Sequence, residues 1–115
     1  MVLRDYMNLM DSKDPNEALH CMEPDLQFTL ALPTGQVQGS SREDFAAYIT
    51  GRTAKGRTHH VLRQAVDGDM EFVCGVVTED GERRGAFLSV AVVSEQGRMH
   101  KYVSFFDPDL ALVDE

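Results

Sequence analysis

The C-terminal half of the chain carries apolar side chains at both odd and even positions of strand-length runs. This pattern constrains the fold more than any other feature. Turn signals at Asp67-Gly68, Asp80-Gly81 and Gln96-Gly97 divide the chain after residue 56 into four runs rich in Val, Phe and Thr. Successive hairpins of this kind predict an antiparallel meander. A sheet with one face in water alternates apolar and polar residues. Here Leu88, Val90 and Val92 alternate with Phe87, Ala91 and Val93, and Phe72, Cys74 and Val76 alternate with Val73 and Val77. In the last run Met99, Val103 and Phe105 fall opposite Tyr102 and Phe106. Both faces need cover. Helices supply it on one side; a second copy of the chain is the simplest cover for the other, which predicts a homodimer through the sheet. The alternative is a strongly bent sheet that partly buries its own outer face.

The helices are legible upstream. Leu3, Tyr6, Met7 and Met10 form one stripe of a 3.6-residue period. In Asp14-Pro15-Asn16-Glu17, Asp14 caps a second helix, Pro15 sits where no N–H is needed and Glu17 reaches back as a capping box. Ala18, Leu19 and Met22 are its buried side, and it ends near Pro24. Leu26 to Leu32 reads as a strand, followed by the turn Pro33-Thr34-Gly35 and a short strand around Val37. A third helix starts at Ser40 or Ser41, with Glu43 and Asp44 at its positive end, and runs through Phe45, Tyr48 and Ile49 to Gly51. Helices with one hairpin among them, followed by a meander, make an α+β fold.

A chain of 115 residues supports one core, so residues 1–115 are expected to form a single domain. Its 43% apolar content excludes a disordered chain. No apolar run approaches the ~20 residues that span a bilayer, so no membrane partner is expected. The N-terminal MVLRDYMNLMDSKD has acidic residues where a signal peptide would be apolar, so none is expected, and the reading of both cysteines as reduced predicts a cytoplasmic protein. A net charge of −8 argues against a nucleic-acid partner. Cys21 and Cys74 lack CxxC spacing and read as reduced, small apolar residues. His20, His59, His60 and His100 show no HExxH spacing, and no P-loop or GxGxxG appears, so neither metal nor cofactor is expected. The basic cluster Arg52, Lys55, Arg57 and Arg63 reads as a solvated loop and strand start, and Asp107 to Glu115 as a frayed tail.

Three stretches carry a family resemblance: Tyr6 and Asp11 followed by PDLQFTLAL; Gly39-Ser40 followed by Glu43, Phe45 and Tyr48; and Gly97-Arg98-Met99 through Tyr102-Val103-Ser104-Phe105-Phe106-Asp107-Pro108. Together with the element order they resemble the NTF2-like superfamily, and within it the SnoaL-like and ketosteroid-isomerase-like group. That resemblance implies a cone, with three helices packed on a curved, mixed and mostly antiparallel sheet around a cavity. Such cavities are ready small-molecule sites. The family uses them for isomerases, dehydratases, cyclases and an epoxide hydrolase, and for binding and association modules without chemistry.

The resemblance also carries expectations about single residues. Leu30 stands at the isomerase base position and Ser89 at the protonated-acid position, so ketosteroid isomerase activity itself is not expected. Ser104 replaces the aspartate of the cyclase and epoxide-hydrolase pattern, and Asp107 reads as a structural or surface group. The dehydratase-like pattern is the least damaged, with Tyr6, Asp11 and the pair His59-His60. Neighbouring strand residues face opposite ways, and His60 shares its alternation with Leu62, Gln64 and Val66, so His60 is expected inside. Asp11, about 140° round the helix from Tyr6, is expected in solvent at the helix end. The resulting expectation is a small-molecule-binding domain whose walls are Phe28, Leu30, Ser89, Tyr102, Ser104 and Phe106 and whose ligand is apolar. As an enzyme it would be a lyase or isomerase on an apolar cyclic substrate, with His60 moving the proton and Tyr6 steadying the oxygen. The alternatives are a non-catalytic ligand carrier or a dimerisation module, with His60 a hydrogen-bonded sheet histidine and Tyr6 a packing residue.

Overall fold

A computed structural model describes residues 1–52 and 56–113, which leaves Lys55 and the last two residues of the tail outside the described residues. Helix α1 spans Val2–Met10 and a 3₁₀ helix Pro15–Cys21, followed by strands β1 (Met22–Leu32) and β2 (Gly35–Gly39) and helix α2 (Arg42–Gly51). Strands β3 (Arg57–Asp67), β4 (Met70–Glu79), β5 (Glu82–Val93) and β6 (Met99–Asp107) complete one sheet in the order β2-β1-β6-β5-β4-β3. Among the described residues only the β1/β6 pair is parallel. The sheet is mixed and mostly antiparallel, and the class is α+β.

Local chemistry accounts for the helices. Leu3, Tyr6, Met7 and Met10 are the buried stripe of α1. The first N–H groups of α1 have no cap from Met1; Glu71 of β4 supplies it, its carboxylate accepting from Leu3 N at 2.8 Å and Val2 N at 3.4 Å. Asp14 caps the 3₁₀ helix through Asn16 N, as expected, but Glu17 turns to His20 instead of reaching back. That helix ends at Cys21, so β1 starts at Met22 and takes in Pro24 rather than beginning at Leu26. At α2 the capping is reciprocal: Ser41 Oγ accepts from Asp44 N, and Asp44 Oδ2 accepts from Ser40 N.

Asp80 and Gly81 have φ of 53° and 83°, the paired left-handed conformation of a two-residue hairpin. Two bulges then decide which side chains face the helices. In β3 the register slips between Val61 and Arg63, opposite Gly75 and Cys74. A Cβ at Gly75 would overlap the His60 carbonyl, so only glycine admits this close approach. The slip reverses the alternation of β3: Gln64 pairs with buried Val73, while on the other side of the bulge His59 pairs with buried Val77. In β6 the register slips between Met99 and Lys101, opposite Val93 and Val92 of β5, which turns Met99 into the core beside Met22 rather than out with Val103 and Phe105.

The inner face of the sheet, with Leu26, Phe28, Leu30, Val73, Val77, Phe87, Ala91, Met99 and Tyr102, packs against Tyr6, Met7, Phe45 and Ile49. The outer face carries apolar rows across the strands. Cys74, Leu88, Phe105 and Ala31 are successive partners in one row, and Phe72, Val90 and Val103 in the next. Leu88 is 37% and Phe105 51% exposed. Among the described residues no helix is long and apolar enough to cross a membrane.

Candidate functional site

The space between the helices and the inner sheet face is filled by aromatic rings. Tyr6 meets Tyr102 edge-on at 5.0 Å and Phe45 at 5.9 Å, and Phe28 meets Phe45 at 4.8 Å. Behind them runs a buried chain of hydroxyls: Tyr102 Oη lies 3.3 Å from Ser89 Oγ, which lies 2.9 Å from Ser104 Oγ. Burial, and after it the adjacent Tyr102 hydroxyl, pushes the Tyr6 phenol well above its ordinary range. Burial also raises Tyr102, against the opposing pull of its hydroxyl neighbours. Both phenols are therefore neutral near pH 7 and act as hydrogen-bonding groups.

At one end of this core the chain leaves α1, and Asp11, its C-cap, meets the start of β3. Asp11 Oδ2 accepts the His59 backbone N–H at 2.7 Å, and Asp11 Oδ1 lies 2.8 Å from His59 Nδ1. β3 is an edge strand, so this carboxylate occupies a backbone donor that the sheet leaves unpaired. The imidazole packs edge-on against Phe87 at 5.1 Å. With Nδ1–H donated to the carboxylate, the neutral ring keeps its Nε2 lone pair for other chemistry.

Asp11 also lines a cleft of about 330 Å³ with Met10, Ser12, Lys13, Pro15, Ile49, Arg52, Gly56 and Arg57. The guanidinium of Arg52 lies 5.9 Å from the Tyr48 ring, and that of Arg57 5.4 Å from the Phe106 ring. The end of α1, the end of α2 and the start of β3 thus converge on one concave surface with a carboxylate and two guanidinium groups, and the His59 imidazole lies behind it on the carboxylate and the Phe87 ring. Among the described residues no group of His, Cys, Asp and Glu could hold a metal ion.

Solved structures match this architecture. A proposed isomerase of the SnoaL-like family from Agrobacterium tumefaciens superposes with a TM-score of 0.78 at 16% identity, over 92% of this chain and 94% of that one. A proposed ketosteroid isomerase from Kribbella flavida gives 0.75 at 16% identity, over 99% and 81%. The yeast UBP3-associated protein BRE5 gives 0.76 at 14% identity, over 93% and 92%. The fold is NTF2-like. No family model and no curated protein matches the sequence.

Within the NTF2-like fold the expected site residues separate into two groups. Tyr6, Phe28, Leu30, Ser89 and Tyr102 are buried core residues that pack on one another, with Ser104 and Phe106 half-buried at its margin. The inward histidine is His59. His60 points to the opposite face, where its Nε2 lies 2.8 Å from Thr78 Oγ1, because the bulge after Val61 reverses the alternation that linked it to Gln64. Asp11 is held by His59 rather than free in solvent. Arg52 and Arg57, read from the sequence as part of a solvated cluster, line the cleft instead. The one sequence signal for the reversal is Gly75, an isolated glycine inside a strand. Asp107 is structural as expected: its Oδ1 accepts from Asp109 N and Leu110 N. Cys21 and Cys74 are free, and burial followed by the nearby Asp5 raises the Cys21 thiol, which keeps it protonated and inert.

Proposed function

We propose that this domain binds a small molecule in the cleft between α1, α2 and β3 and transfers a proton there, in a lyase or isomerase reaction on a substrate with an apolar ring. The pairing of Asp11 with both donors of His59 carries this reading. A carboxylate that fixes one imidazole nitrogen sets the tautomer and the ring plane, so the other nitrogen takes a proton from one substrate atom and returns it to another. Tyr6, one turn before Met10 on the same face of α1, supports the site from the core as a neutral hydroxyl. The isomerase descriptions of two structures with this fold favour the reading by analogy.

The test is deuterium incorporation in D2O, followed by NMR, across a panel of cyclic ketones and cyclic β-hydroxy ketones, each with and without a ring carboxylate. Exchange beside the carbonyl is expected with the unaltered protein. A loss of about 10²-fold or more is expected for His59→Gln, with no loss for His60→Gln. Equal activity of His59→Gln, or no exchange above the buffer rate, overturns the proposal.

The rows Cys74–Leu88–Phe105 and Phe72–Val90–Val103 favour a second part of the reading, in which two copies pair through their outer sheet faces. The same rows favour a second reading of function, a non-catalytic dimerising module. The free thiols of Cys21 and Cys74 fit a reducing compartment such as the cytoplasm.

A further inference from the structure

Among the described residues, the buried side-chain nitrogen and oxygen atoms without a hydrogen-bond partner are Nε of Arg52 and Nε of Arg57. Both residues line the cleft that holds Asp11. Buried donors are nearly always satisfied, so two left over in one wall mark guanidinium groups that the fold leaves under-bonded, each Nε itself being closed to solvent as the cleft stands. Among the described residues, Asp11 turns one oxygen to each of two His59 donors, and Arg52 Nη1 finds Met10 Sδ at 3.8 Å, a weak acceptor. Lys13 adds a third cation to the lining, against the single carboxylate of Asp11. A locally cationic cleft on a chain of net charge −8 is out of keeping with the rest of the surface. The Tyr48 and Phe106 rings lie against the two guanidinium groups, which leaves the in-plane N–H groups for a planar anion. Met10, Pro15 and Ile49 supply apolar wall beside them. The cleft of about 330 Å³ holds roughly eleven water-sized groups at ~30 Å³ each, the size of one ring with a short substituent.

We propose that this cleft binds a small organic carboxylate, its head paired with the guanidinium groups of Arg52 and Arg57 and its ring lying on Met10, Pro15 and Ile49. The inference rests on the cleft of the preceding section and specifies its substrate class as an anion with an apolar body.

The Arg Nε–H resonances of the 15N-labelled chain report on this directly. Cyclohexanecarboxylate, its neutral amide and inorganic phosphate are titrated in turn. Saturable shifts of the Arg52 and Arg57 Nε–H signals are expected with the carboxylate, and none with the amide. Arg52→Lys and Arg57→Lys, which keep the charge and lose the fork, should each weaken carboxylate binding about tenfold, whereas Arg63→Lys should not. Binding of the amide as tight as the carboxylate, or no movement of the two Nε–H signals, overturns the proposal. So does phosphate that binds more tightly than the carboxylate, since it assigns the site to phosphate. If the amide binds and the carboxylate does not, the anion assignment fails while a small-molecule cleft stands. If the carboxylate binds but His59→Gln leaves proton exchange intact, the anion site stands and the proton-transfer role falls.

Discussion

Asp11 and His59, 48 residues apart in the chain, are joined by two hydrogen bonds to one carboxylate, at 2.7 Å from the backbone N–H and 2.8 Å from the ring nitrogen. Their side chains are only 13% and 20% exposed. The pair therefore closes the edge of β3 as well as orienting the imidazole. Asp11→Ala leaves a half-buried N–H and the ring nitrogen without their acceptor, and should destabilise the fold by about 1–3 kcal/mol. Asp11→Asn, which keeps one acceptor oxygen, should lose less. Urea midpoints for the two variants check this; an unchanged midpoint for Asp11→Ala would mean that water replaces the carboxylate at no cost.

The tyrosines Tyr6 and Tyr102 should make stability fall in alkali. Each has a folded-state pKa raised above the ordinary 10.0, mainly by burial. A phenol raised in this way binds its proton more tightly folded than unfolded. Its contribution is complete below the unfolded value and is lost as pH rises through the folded one. Unfolding free energy measured from pH 8 upward should therefore decline beyond about pH 10, and Tyr6→Phe should flatten the decline. Phenolate absorbance from Tyr6 and Tyr102 should appear only with unfolding. Its appearance from either ring in the folded chain at about pH 10 would show that the pair is open to solvent.

Glu71 tests how helix α1 is held to the sheet. Its carboxylate is the cap that Met1 does not provide. Glu71→Ala should cost about 1–2 kcal/mol and fray the first turn of α1, while Glu71→Gln should cost less because the amide oxygen still accepts. Amide hydrogen exchange at Val2 and Leu3 reads the fraying directly, and unchanged protection would assign the cap elsewhere.

The proposed pairing of two copies predicts a particle of twice the chain mass in sedimentation equilibrium. A carboxylate set into the outer rows, by Leu88→Asp or Phe105→Asp, should yield folded single chains, because two desolvated charges would face each other across a self-complementary interface. Sedimentation of the unaltered chain as a single copy would remove the second molecule as the cover for this face.

The sequence by itself determined what depends on near neighbours. The α1 stripe, the caps at Asp14 and Ser41 and the turns at Asp67-Gly68, Asp80-Gly81 and Gln96-Gly97 all act within a few residues. They order the elements, and that order, helices with one hairpin among them followed by a meander, sets the α+β class. Only the tertiary structure decided which side chains meet. Alternation along a strand has a period of two, so one inserted residue sends every later side chain to the other face. The bulge opposite Gly75 puts His59 inside in place of His60, and the bulge in β6 turns Met99 inward. Whether a bulge forms depends on the partner strand. In the same way, Asp11 becomes a buried acceptor, and Arg52 and Arg57 become the wall of a cleft, only once α1, α2 and β3 converge. No local pattern encodes that convergence, because it is set by how the helices lie on the sheet.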